Sequence, residues 1–328
     1  MLTTSTGRLH PVWAFAISAA LSFAAFFIAG VVSEALAGQH YLVLEVVFRT
    51  LLALLLLSLY VWLLTIGDNV REHRIAVLGL PVTQGWRKQV LSGCGIGLVL
   101  TTLAAFPIAI WGDASVKLHL DFHLLTRAAA VLFVLLVGAL AEELMFRGYP
   151  FQHLVEGIGG VGAIAVFSVL FGIVHLSNPG ASIWGLINTV LIGILLAVAY
   201  LRTRALWLPW GIHFGWNATL GFLFGLPVSG IRMFNVIVRV SATGPKWMTG
   251  GSYGIEASVT GTVAVLIGLL IVWRMPGKSI SWKLRRHEPA GEGHMIGPSV
   301  GDARACNEDG EGQGANSGQH SGVSGADT

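Results

Sequence analysis

The chain has 328 residues, 54% hydrophobic and only 11% charged, with a net charge of +3 and a mean hydropathy of +0.71. A soluble domain carries about 25% charged residues, so this chain lacks the polar surface to cover a water-soluble core, and lipid must solvate much of it. Its lysines and arginines sit in short clusters between apolar runs, which argues against nucleic-acid binding, and two cysteines, Cys94 and Cys306, make neither a disulfide framework nor a thiolate metal site.

Apolar runs of roughly 17–25 residues read as spanning helices, because about 20 residues rising 1.5 Å each cross the hydrocarbon core. They lie near 12–33, 43–66, 90–111, 124–146, 160–176, 183–200, 206–225 and 257–273. The first follows Arg8 and is too long for a signal-peptide core, so it reads as a membrane helix. The strict alternation of a membrane barrel is absent. The expected fold is all-α: a polytopic transmembrane bundle of about eight helices with a disordered C-terminal tail. From about Gly277 the chain is rich in Gly, Ser, Asp, Glu and Asn and has too few apolar residues to offset its ordering entropy.

Positive charge alternates between connections. Arg71, Arg74, Arg87 and Lys88 follow the second run, Arg202 and Arg204 the sixth, and Arg274, Lys278, Lys283, Arg285 and Arg286 the eighth. The connections after the first and fifth runs have no lysine or arginine. The positive-inside rule then places both termini in the cytoplasm. Arg232, Arg239 and Lys246 break the pattern after the seventh run, in a long connection that contains the β-branched stretch Val236–Ile237–Val238 and is expected to fold partly back over the bundle.

Ionisable residues inside membrane helices are costly, which makes them functional candidates. The first group is Ala141-Glu-Glu-Leu-Met-Phe-Arg147, ending the fourth run. Glu143 and Arg147 stand at i,i+4 and can pair. Glu142, about 100° away around the helix, then lacks a local counter-charge, and a desolvated carboxylate suits a general base. Alternatively, the segment is a helix end at the interface, with Arg147 snorkelling and both glutamates wet. The second group is Phe171-Gly-Ile-Val-His175, followed by Leu-Ser-Asn-Pro; a single histidine here serves either chemistry or an interfacial hydrogen bond. The third is His213-Phe-Gly-Trp-Asn217, whose i,i+4 pair serves either as interhelical glue or as part of a site.

If the fourth helix continues to about Glu156 and glycines 157, 159 and 160 make the turn, Glu142 and His175 lie roughly 20 Å from that turn, at matching depth. His213 matches only if its helix begins deeper in the bundle. A carboxylate, a histidine and a histidine–asparagine pair converging in a membrane cavity suggest hydrolysis, with a base activating water and donors stabilising an oxyanion.

Together the three motifs resemble the CPBP family of intramembrane proteases, which includes the type II CAAX-prenyl endopeptidases and bacterial Abi and bacteriocin-processing relatives. The likeness spans about residues 75–273. It includes Phe146-Arg147-Gly148, His175-Leu-Ser-Asn-Pro179 and Trp207-Leu-Pro-Trp-Gly-Ile-His213, with Leu226-Pro-Val-Ser-Gly230, Thr249-Gly-Gly251 and Glu256 typical of bacterial members. It divides the chain into N-terminal helices with their connection (1–74), a protease core (75–276) and a tail (277–328). It implies Glu142 as the base, His175 helping to hold the water, His213 and Asn217 on the oxyanion side, Glu143–Arg147 as a structural ion pair and Phe171 as motif support.

The family was once described as metalloproteases. No His-Glu-x-x-His occurs, and Glu142, His175 and His213 can in principle hold zinc. The metal-free mechanism without a cofactor is favoured, because asparagine is a poor zinc ligand and a good oxyanion donor. The implied partners are membrane lipid and a peptide or protein substrate, lipidated or not. The implied location is a cell membrane, a bacterial inner membrane by the flanking sequence. The rival readings are a non-catalytic immunity or scaffold protein of the same fold, and a transporter, for which no inverted repeat is visible.

Overall fold

The computed structural model describes residues 3–4, 9–37, 40–68, 70, 74–119, 122–234 and 237–277. The predicted tail from 278 lies outside them, as do Arg8, Arg71, Val236, Lys278, Lys283, Arg285, Arg286 and Cys306. The helices are α1 (Pro11–Ala37), α2 (Tyr41–Ile66), the single turn α3 (Arg74–Val77), α4 (Trp86–Trp111), α5 (Leu124–Arg147), α6 (Tyr149–Val174), α7 (Ile183–Thr203), α8 (Trp207–Asn217), the turn α9 (Lys246–Thr249) and α10 (Val259–Arg274).

Each expected apolar run holds a helix, and the chain is a multi-pass, mostly helical membrane protein. Among the described residues, five segments are long and apolar enough to cross a membrane: Pro11–Ala37, Tyr41–Ile66, Trp86–Trp111, Leu124–Ser177 and Ile183–Thr203. The expected eight crossings are not reached on this measure. The α5–α6 pair forms one continuous apolar segment, α8 has 11 residues and α10 has 16.

The bundle is not wholly α. Strands β1 (Asp113–Leu118) and β2 (Val238–Thr243) pair antiparallel from Asp113↔Thr243 to Leu118↔Val238. Val116, Leu118, Val238 and Val240 alternate with polar residues at the period a pleated ribbon needs. Strand β1 lies in the connection between α4 and α5, and β2 lies midway along the long connection before α10. The rest of that connection folds onto the bundle as expected, burying Val228, Phe234, Met248 and Ile255.

Two seams hold the site. In the first, α4 and α8 meet backbone to backbone. A Cβ on Gly93 would lie 2.6 Å from the Leu208 carbonyl oxygen, and one on Gly97 2.5 Å from that of Ile212. Reciprocally, a Cβ on Gly211 would lie 2.4 Å from the Val90 oxygen and one on Gly215 2.6 Å from the Cys94 oxygen. Glycines four apart on both helices allow this approach, which substitutes for the hydrophobic drive that lipid removes. In the second seam, α2 packs on α5 and on α1. The buried face of α1 is a stripe of small residues, Ala14, Ser18, Ser22, Ala25, Ala29 and Ser33, and Ser22 Oγ meets Tyr60 Oη at 2.8 Å.

Candidate active site

The last turns of α5 carry the first motif. Arg147 Nη1 donates to Glu143 Oε1 at 3.1 Å, and both side chains are fully buried. Arg147 Nη2 donates to the Gly193 carbonyl at 3.0 Å, and its guanidinium lies 4.7 Å from the Phe171 ring centroid. Arg147 is therefore not snorkelling to the interface. Glu143 Oε1 also accepts from His213 Nδ1 at 2.8 Å, so this carboxylate joins the ion pair to the third motif.

Glu142 projects from a different side of the helix, and its counter-charge comes from another helix. Arg49 Nη1, on α2, donates to Glu142 Oε1 at 3.0 Å, while Arg49 Nε donates to Glu45 Oε2 at 3.2 Å. The absence of a local partner at i,i+4 did not leave the carboxylate unpaired. Glu142 Oε2 lies 3.7 Å from His213 Nε2.

The second motif is reached by a different path from the one expected. The fourth helix does not run on to Glu156: α5 stops at Arg147, and Gly148 breaks the helix at φ −76°, ψ −141°. A Cβ there would lie 2.2 Å from the Leu144 carbonyl oxygen, so the break requires glycine. The chain then re-forms a helix and breaks again at Gly159 (φ 81°) within the expected turn. His175 follows the end of α6. Its Nδ1–H donates to the Phe171 carbonyl at 2.6 Å, leaving Nε2 free. The Phe171 ring packs 4.6 Å from His175 and, edge on, 6.1 Å from His213. One aromatic ring thus touches side chains from all three motifs.

His213 reaches Glu143 because α8 does begin deep. Ala205, Leu206, Trp207 and Leu208 are buried at its start, covered by the segment before α4. There, Leu206 N–H donates to the Gly79 carbonyl at 2.6 Å and Trp207 Nε1 to the Pro81 carbonyl at 2.9 Å. Asn217 ends α8, one turn beyond His213, and a π-helical turn at Ala218–Leu223 follows. Such turns recur at functional sites.

Arg49, Glu142, His175, His213, Asn217 and Glu256 line one cavity of about 590 Å³. Glu256, in the connection before α10, accepts from Trp216 Nε1 at 3.0 Å, from Ser229 Oγ at 3.1 Å and from the Ser229 backbone N–H. Burial pushes its carboxyl up, and the Ser229 and Trp216 donors pull against that. Those donors pin the Val228–Ser229 wall of the cavity, with Ser229 held at φ 46°. Among the described residues, no three His, Cys, Asp or Glu side chains group closely enough to hold a metal ion. The Arg49 guanidinium beside Glu142 further disfavours a dication, so the donors do not fit a zinc centre.

These features define a helical membrane protein with a mostly apolar cavity, lined from α1, α2, α5, α6, α7 and α8, into which a few charged and polar side chains converge. Residues 124–219, running from the first residue of α5 to just beyond α8, match the family model described as Type II CAAX prenyl endopeptidase Rce1-like. The resemblance to the CPBP family is borne out over that stretch, which holds all three motifs. It is a protease family, so the match supports a peptidase acting on a peptide or protein. No curated protein and no solved structure matches the chain.

The motifs did not reveal Arg49, Glu45 or the two glycine pairs of the α4–α8 seam. A signal existed for each. Glu45 and Arg49 are the only charged residues of α2 and stand at i,i+4 inside an apolar run, and Gly93/Gly97 with Gly211/Gly215 repeat the close-packing spacing of membrane helices.

Proposed function

We propose that this chain is an intramembrane endopeptidase that hydrolyses a peptide bond of a membrane-associated or C-terminally processed substrate, with Glu142 as the base that activates water. The observation that carries the reading is the cavity shared by Glu142, His175, His213 and Asn217. Glu142 has one oxygen engaged by Arg49 and the other facing His213. A water in that cavity loses a proton to Glu142 as its oxygen adds to the substrate carbonyl. The His175 Nε2, free of the helix, helps to hold the water. His213 in its imidazolium form, its Nδ1–H held by Glu143 and its Nε2–H facing the cavity, and Asn217 stabilise the oxyanion; as the C–N bond breaks, the proton on Glu142 passes to the leaving amine. Glu143 accepts the His213 Nδ1–H, fixing which ring nitrogen faces the cavity. A positioned base contributes about 10²–10⁴-fold and an oxyanion donor about 10²–10³-fold.

The membrane is that of a bacterial cell, with both termini cytoplasmic by the positive-inside rule. The substrate is a bacteriocin, a pheromone precursor or another small membrane-associated polypeptide, lipidated or not.

Glu142→Gln in proteoliposomes is expected to lower cleavage of an internally quenched peptide by more than about 10²-fold while the protein still inserts and keeps its melting temperature. Retained cleavage overturns the assigned base. A wild-type protein that cleaves no member of a broad peptide set favours the immunity or scaffold reading.

A further inference from the structure

We infer that Arg49 of α2 is a positioning residue for Glu142, so that the working site includes a helix outside the stretch matching the family model. The inference rests on the reading of Glu142 as the base.

Arg49 lies in a 26-residue apolar helix whose other charged residue is Glu45. A cation at such a place is costly unless something uses it. Its planar guanidinium is divided between two carboxylates: Nε donates to Glu45 at 3.2 Å, and Nη1 donates to Glu142 Oε1 at 3.0 Å. Glu45, one turn earlier on the same helix, fixes the plane of the fork, and the fork fixes Glu142. With Oε1 tethered, Oε2 is left facing His213 Nε2 at 3.7 Å, the side from which a water would be activated.

The facing helix makes room for this contact. A Cβ on Gly138, one turn before Glu142 on α5, would lie 3.3 Å from Arg49 Cδ and 3.5 Å from Nε. Gly138 thus leaves the passage through which Arg49 reaches across to Glu142. Arg49 also supplies the counter-charge that a carboxylate in a mostly apolar wall requires. It acts through Glu142 and touches none of the reacting atoms. Glu45 in turn acts through Arg49.

The test compares Arg49→Gln, Arg49→Lys and Arg49→Ala with wild type in proteoliposomes, on an internally quenched peptide that wild type cleaves. Arg49→Gln should lower kcat by about 10–10²-fold with KM changed less than about threefold, because loss of about 1 Å of alignment costs on that order. Arg49→Lys keeps the charge without the fork and should recover part of the rate. Added guanidinium chloride at millimolar concentration should restore part of the activity of Arg49→Ala. Wild-type kcat in Arg49→Gln overturns the inference. So does a loss that falls on KM, or one that neither lysine nor guanidinium reduces.

A second measurement is independent of turnover. In detergent, the melting temperatures of Arg49→Gln, Glu142→Gln and the double variant should be non-additive, the double variant falling less than the sum of the singles. Additivity overturns the pairing even if wild type proves inactive. Conversely, non-additivity with an inactive wild type upholds the pairing and locates the failure in the hydrolytic reading.

Discussion

The two seams that frame the cavity are built on opposite principles. Between α4 and α8, glycines let backbone touch backbone, and the close approaches are made by main-chain atoms. Between α2 and α5, Arg49 reaches across an opening left by Gly138 to pair with a carboxylate. The first seam holds the helix that carries His213 and Asn217, and the second holds Glu142. On the proposed reading, the wall that presents His213 and Asn217 is placed by close packing, with the Glu143 carboxylate holding the His213 ring. A wall that presents a base needs its charge balanced as well as its position fixed, which packing alone cannot do.

The largest effect should come from prying open the glycine seam. Gly215→Leu or Gly97→Leu pushes a side chain into the facing backbone, where even a Cβ would lie within 2.6 Å of it. A leucine against fixed backbone has no room to relax, so the cost should exceed the roughly 1–3 kcal/mol typical of overpacking and separate the two helices. Size-exclusion chromatography and thermal melting in detergent should show loss of the folded monodisperse species. Wild-type melting would mean that α4 and α8 do not rely on this approach.

The adjacent glutamates sharpen the contrast next. Glu143→Gln strips the fully buried Arg147 of its counter-charge and should destabilise by about 3–5 kcal/mol, the usual cost of breaking a buried pair. Glu142→Gln leaves Arg49 with Glu45 and should melt within a few degrees of wild type despite losing activity. Similar melting of the two variants would erase the division of labour between them. The smallest effect belongs to the α1–α2 packing. Ser22→Ala removes the 2.8 Å contact with Tyr60 and should cost only about 0.6 kcal/mol, typical of interhelical hydrogen bonds in membranes. A shift of many degrees on heating would show that α1 governs the bundle far more than its small-residue stripe suggests.

Much of the fold was legible because local rules generate it. In lipid an apolar run must satisfy its own backbone and becomes a helix, so the eight runs were found within a few residues, apart from the start of α6. The Glu143–Arg147 pair was legible because i,i+4 residues meet on any helix. The helix break at Gly148 has a local signal, a glycine followed by Pro150 in the first turn of the next helix, but the unbroken apolar pattern on both sides of it hides the break. The β1–β2 ribbon joins residues more than a hundred positions apart, and its strands are too short to announce a partner. Glu142 has no counter-charge within its own segment, because Arg49 lies 93 positions earlier in the chain.

By itself, the sequence determined that this is a helical membrane protein, which runs form helices, and which polar residues those helices carry at costly depths, because composition and periodicity act over a few turns. Only the tertiary structure decided that Glu142 answers to α2, that Glu143 serves both Arg147 and His213, and that Phe171 touches all three motifs. Those are distances between helices, and they are set by how glycines, small residues and ion pairs let separate segments approach, which no local pattern encodes.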